Sequence, residues 1–116
     1  MSFEIRTIEV FDRQAKRLAK HYPCFRDDYR KLLEDLNKHP FQGSDLGGGV
    51  RKVRMAIASK GKGKSGGARV ITYTADVIVQ EGEGELILLS VYDKSVQSTI
   101  SDDELKRLKD LAAMPR

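Results

Sequence analysis

Residues 50–92 read VRKVRMAIASKGKGKSGGARVITYTADVIVQEGEGELILLSVY, and this stretch decides the fold. Residues 50–58 have the pattern of a strand. Val53, Met55 and Ile57 fall on one face and Lys52 and Arg54 on the other, because side chains alternate across a strand. Residues 59–67 form a loop of Gly, Lys and Ser, and a further strand is predicted over residues 68–79. Glu81-Gly82-Glu83-Gly84 turns the chain back, and LILLSVY at 86–92 is the most apolar strand, expected near the centre of the sheet. Three consecutive strands with hairpin-like links imply an antiparallel sheet with helices segregated to one side.

Working outward, residues 3–10 predict a first strand. Phe11, Ala15, Leu18, Ala19 and Tyr22 then recur at spacings of three and four, which places them on one helical face. Pro23 ends that helix, since it lacks an N–H and restricts the residue before it. Phe25, Tyr29, Leu32, Leu33 and Leu36 form the stripe of a second helix that stops near Lys38, so the two make a helical hairpin. Residues 43–49, with consecutive Gly47, Gly48 and Gly49, read as a turn region. In the last helix Ser101 is the cap, Glu104 lies three residues later, and Ile100 and Leu105 are spaced for a hydrophobic staple. Leu105, Leu108, Leu111 and Ala112 supply its buried face. The expected order is β-α-α-β-β-β-α: an α+β fold, mainly antiparallel, with one domain spanning residues 1–116.

The 116 residues are 40% hydrophobic and 33% charged, an ordinary globular balance that excludes collagen-like and wholly disordered chains. No apolar run is long enough to span a bilayer. The opening MSFEIRTIEV lacks the basic-then-apolar order of a secretory signal, and the lone Cys24 has no partner for a disulfide, so a cytoplasmic setting is expected. With one cysteine and two distant histidines, His21 and His39, a structural zinc site is not expected.

Charge is uneven. The whole chain is +4, yet residues 51–80 hold seven basic side chains and only one acidic one, Asp76. Arg51, Lys52, Arg54, Lys60, Lys62, Lys64 and Arg69 carry the excess. Such a patch favours polyanions through attraction and counterion release. A solubilising loop is the plainer reading for Lys60, Lys62 and Lys64, but Lys52 and Arg54 project together from one sheet face. Gly63-Lys64-Ser65 is not a nucleotide-binding phosphate loop: Ala58 stands where that pattern needs glycine, and a strand rather than a helix follows. Tyr73 and Tyr92 lie in strands, where each packs its ring or stacks a base if exposed. Asp93 and Lys94 close the last strand and read, at their plainest, as a surface ion pair.

The segments GKGKSGGARVI at 61–71 and LLSVYDKS at 88–95 resemble the RelE/HigB superfamily of bacterial toxin–antitoxin toxins. The likeness extends over nearly the whole chain, including the paired helices and the terminal Ser-Asp-Asp-Glu-Leu helix. It implies a RelE-like fold and an endoribonuclease that cuts messenger RNA, usually on the ribosome, without metal or cofactor. A 2′-hydroxyl attacks the adjacent phosphodiester, and a cognate antitoxin, expected to carry a helix-turn-helix domain, holds the toxin inactive. By this resemblance Lys52 and Arg54 match paired basic residues before the loop, Arg69 the arginine that opens the next strand, and Lys94 a basic residue closing the last strand. Several relatives place a Tyr or His near the C-terminus, where this chain has neither; either Tyr92 partly substitutes for it, or this branch relies on its basic residues and the ribosome. Arg51, Lys60, Lys62, Lys64 and Tyr73 would extend the RNA-binding surface.

The residue types suit those roles. Guanidinium and ammonium groups orient phosphate oxygens and stabilise developing charge, and a planar arginine fork contacts two oxygens together. Neither lysine nor arginine is a good base at its reference pKa. Two other readings use the same features: a noncatalytic RNA- or DNA-binding module, and a toxin of this fold that acts on a protein such as a topoisomerase.

Overall fold

The computed structural model describes residues 2–61, 63–78 and 83–114. The elements run β1 (Ser2–Thr7), α1 (Glu9–His21), α2 (Phe25–Lys38), β2 (Ser44–Gly47), β3 (Val50–Met55), β4 (Ala68–Ile78), β5 (Glu83–Asp93) and α3 (Asp102–Ala113). Short 3-10 turns lie at Ala58–Lys60 and Lys64–Gly66. The α+β class and the mainly antiparallel sheet with packed helices are as the sequence predicts.

The sheet has five strands in the order β1-β5-β4-β3-β2. Only β1 and β5 run parallel; the other neighbours are antiparallel. The apolar β5 is an interior strand, buried from Leu86 to Asp93, while the middle position of the five belongs to β4. β2 is an addition to the expected order. Its four residues are all exposed, and they become a strand only by pairing with β3.

The helices end where local chemistry demands. Acidic Glu9 and Asp12 sit in the first turn of α1, and Lys20 and His21 in its last, both favourable to the helix dipole. Pro23 separates α1 from α2. In α3, Ser101 accepts the Glu104 N–H at 3.1 Å as a cap should. The Glu104 carboxylate does not return the bond, and instead grips Arg107 at 2.6 and 3.1 Å.

Phe11, Phe25, Leu32 and Leu36 of the hairpin join Val53, Met55, Val70 and Val91 of the sheet in one buried core. Where β1 stops, Gln14 of α1 takes over the open edge of β5, its Oε1 accepting from Val91 N at 2.9 Å and Ser90 Oγ at 3.0 Å. α3 adds Leu105, Leu108 and Ala112, and is tied to β1 by Arg6, which donates to the Ala112 carbonyl at 2.7 Å. Among the described residues, no helix is long and apolar enough to cross a membrane.

Candidate functional site

Strand register assembles the site. Arg54 of β3 pairs with Arg69 of β4, and Arg69 pairs with Tyr92 of β5. Directly paired residues share a sheet face, so these three make one row across three strands. Lys52 lies one row away on the same face, beside Ile71. Like charges directly opposed destabilise a sheet. Here none of Lys52, Arg54 and Arg69 forms an ion pair with a carboxylate among the described residues.

The members differ in exposure. Arg54 is exposed and Lys52 half-buried, as a ligand-facing surface requires. Arg69 is only 5% exposed, deeper than a surface phosphate clamp was expected to be. Its guanidinium donates to the carbonyls of Lys64 at 3.3 Å, Ala68 at 3.2 Å and Ser65 at 3.2 Å. Arg69 therefore latches the second 3-10 turn onto β4, and its charge meets carbonyl dipoles. Lys64 is exposed, and with Arg54 and Lys31 it lines a small cleft of about 140 Å³ between α2 and the end of β3, which Asp28 and Asp35 of α2 also line. Lys94 is exposed too, and its backbone N–H donates to the Gly67 carbonyl at 3.1 Å, which sets it beside the start of β4.

Tyr92 completes the row with its ring. Its hydroxyl is buried and has no hydrogen-bond partner among the described residues. Burial pushes its pKa up, with Arg69 opposing, so it stays protonated at neutral pH.

Three expected contributors are placed elsewhere. Arg51 alternates to the opposite face, where it lies over the Phe41 ring at 5.1 Å and reaches Thr74 Oγ1 at 3.4 Å. Tyr73 lies two rows from Arg69, level with Val50 and Ile87, and its ring is faced by Lys109 of α3 at 5.1 Å. Lys60 is engaged in a part-buried ion pair with Asp93 at 2.7 Å. Lys62 lies outside the described residues.

The Lys60–Asp93 pair corrects a second expectation, because Asp93 does not pair with its neighbour Lys94. Asp93 is 7% exposed and receives Lys60 Nζ, the Tyr22 hydroxyl, and both the N–H and the hydroxyl of Ser95. Burial alone would raise its pKa, but the bonds from Lys60, Tyr22 and Ser95 hold it well below the usual carboxylate range. The hub was missed in sequence because Lys60 and Tyr22 are distant from Asp93 along the chain. The available signal was an acid closing so apolar a strand, which must find compensation.

The described parts of the basic loop are braced on both limbs. Ala58 N–H donates to Asp28 Oδ2 at 3.0 Å and Ser59 N–H to Cys24 Sγ at 3.2 Å, so α2 holds the first limb. Gly67 sits so tightly against β3 that a Cβ there would lie 2.0 Å from the Met55 carbonyl oxygen. Cys24 is accordingly a half-buried contact of the loop. His21 and His39 are exposed at helix ends, as expected.

The row thus sets an exposed guanidinium opposite a largely buried one, with Lys52 on the same face. Residues 9–115 match the family described as the RelE toxin of the RelE / RelB toxin–antitoxin system. The chain belongs to this family. Membership makes it a toxin-class protein with an antitoxin partner.

Proposed function

We propose that the toxin is a metal-independent endoribonuclease that cuts messenger RNA on the ribosome, with Lys52, Arg54, Arg69 and Lys94 acting on the scissile phosphate. The observation that carries this reading is the direct cross-strand pairing of Arg54 with Arg69 beside Lys52, none of them in an ion pair with a carboxylate among the described residues. In the reaction the 2′-oxygen bonds to phosphorus and the bond from phosphorus to the 5′-oxygen breaks. The 2′-hydroxyl gives up its proton, the departing 5′-oxygen gains one, and a cyclic phosphate and a 5′-hydroxyl remain. Negative charge builds on the phosphoryl oxygens, where Arg54 and Lys52 stabilise it and Arg69 supports it from beneath. In this reading Lys94 acts on the leaving oxygen. The buried Tyr92 hydroxyl contributes no proton, and its ring supports the row. A helix-turn-helix antitoxin is the partner this reading expects, its acidic groups meeting the same surface.

The test is inducible expression of the wild type and Arg54→Ala, with RNA 5′ ends mapped in translating cells. Arg54 is preferred to Arg69 because Arg69→Ala also unlatches the loop. New 5′-hydroxyl ends in translated messages, lost in Arg54→Ala, support the reading. RNA binding without cuts identifies a noncatalytic module, and arrest with intact messages and trapped topoisomerase identifies a protein-directed toxin.

A further inference from the structure

Resting on the nuclease reading, we infer that the Lys60–Asp93 ion pair is a positioning device, which fastens the glycine–lysine loop to the strand that ends the basic row. Lys60 is the last residue of the first 3-10 turn, and Asp93 the last of β5. Asp93 directly follows Tyr92, precedes Lys94 and pairs with Ala68, the neighbour of Arg69. One carboxylate is therefore adjacent, by chain or by register, to three members of the site.

The pair does what the other braces of the loop do not. Asp28 and Cys24 tie the first limb to α2, and Arg69 ties the second limb to β4. Among the described residues only Lys60 joins the first limb to β5 by a side-chain bond, where Tyr22, the C-cap of α1, and Ser95 meet the same carboxylate. The Lys60 ammonium also lies 5.8 Å from the centre of the Tyr22 ring. A buried ion pair is a poor device for stability alone, since apolar residues of similar volume often serve as well. It does impose direction: the ammonium must meet the carboxylate, so the loop has one seating on the sheet. That seating sets where Lys64 stands relative to Arg54 and which carbonyls Arg69 holds. Asp93 is buried and Lys60 half-buried against it; both touch no substrate and act through the row.

The test compares wild type, Lys60→Met, Lys60→Arg, Asp93→Asn and the Lys60→Met/Asp93→Asn double variant. Two readouts are taken: amide exchange over residues 58–61 and 63–67, and kcat and KM for cleavage of ribosome-bound message. Lys60→Met should speed loop exchange while α1 and α3 keep wild-type protection. Its kcat should fall about 10- to 100-fold, the scale of a misplaced catalytic group, with KM little changed. Lys60→Arg should restore both, and the double variant should be no worse than the single ones, as for partners in one interaction. Wild-type exchange in Lys60→Met, or losses that add in the double variant, would overturn the inference. If Asp93→Asn does not fold, the Lys60→Met and Lys60→Arg comparison decides alone. If the wild type cuts no RNA, the nuclease reading falls, and the exchange measurement still decides whether the pair seats the loop.

Discussion

Arg54 and Arg69 stand directly opposite each other on β3 and β4, and neither is paired with a carboxylate among the described residues. A sheet gains nothing from that arrangement, and the exposed member can be removed without opening the core. Arg54→Ala should leave the unfolding free energy within about 0.5 kcal/mol of wild type, as for a surface substitution. Cleavage of translated RNA should fall about 100-fold or more, the scale of one lost donor to developing charge. Parallel urea unfolding and single-turnover cleavage check both. Large destabilisation would show that Arg54 is structural, and full activity would remove it from the site.

Tyr92 makes the opposite prediction. Its hydroxyl is buried without a described partner, an arrangement that costs free energy and puts the oxygen out of a substrate's reach. Tyr92→Phe should keep or raise stability, by up to about 1 kcal/mol, and should cleave RNA at close to the wild-type rate. Chemical denaturation and initial rates are sufficient. A strong loss of rate in a stable Tyr92→Phe protein would restore the hydroxyl to the chemistry.

Acid should act on the Asp93 hub. Its folded pKa is depressed by Lys60, Tyr22 and Ser95 against the opposing effect of burial. A depressed acid contributes stability that is fully present above the unfolded value, about 3.9, and is lost as pH falls toward the folded one. Asp93→Asn should therefore be less stable than wild type at pH 7, and the gap should narrow below about pH 4. Urea midpoints from pH 7 down to pH 3 test this, and a constant gap would mean that the carboxylate charge is not the stabilising element.

Gly67 is fixed by a close approach, since its φ is ordinary for any residue. A methyl group would meet the backbone of Met55, and backbone has no rotamer with which to move aside. Gly67→Ala should destabilise by more than about 2 kcal/mol, at the upper end of overpacking effects. It should also weaken the Lys94 N–H bond to the Gly67 carbonyl, visible as faster exchange at Lys94. Wild-type stability would show that β3 and β4 can separate here at little cost.

The contrast between these residues explains what could be read from the chain alone. Phe11, Leu18, Leu32 and Leu36 announce their helices by period, and Val53 and Met55 their strand by alternation, because each element buries one face. β2 sends no such signal: Ser44, Asp45, Leu46 and Gly47 are exposed, and pairing alone makes them a strand. Lys52 and Arg54 could be placed on one face by counting. Arg51 turns away by the same alternation, whereas Arg69's grip on the carbonyls of Lys64, Ser65 and Ala68 and Lys60's pairing with Asp93 depend on how the loop folds back on the sheet. Composition treats the loop lysines as equivalent, and tertiary structure makes them unlike.

That difference can be measured through salt. A cation that contacts RNA phosphates releases counterions, so each lost contact on a single strand lowers the slope of log affinity against log salt by about 0.7. Lys64 is exposed beside Arg54, whereas Lys60 is paired with Asp93. Lys64→Ala should reduce the slope for a short oligoribonucleotide by about that increment. Lys60→Ala should leave the slope unchanged, even where the altered loop lowers affinity at every salt concentration. Titrations at several salt concentrations separate the two effects, because intercept reports seating and slope reports charge contact. Equal losses of slope in both variants would mean that Lys60 leaves Asp93 to meet RNA, and that the loop is reseated on binding.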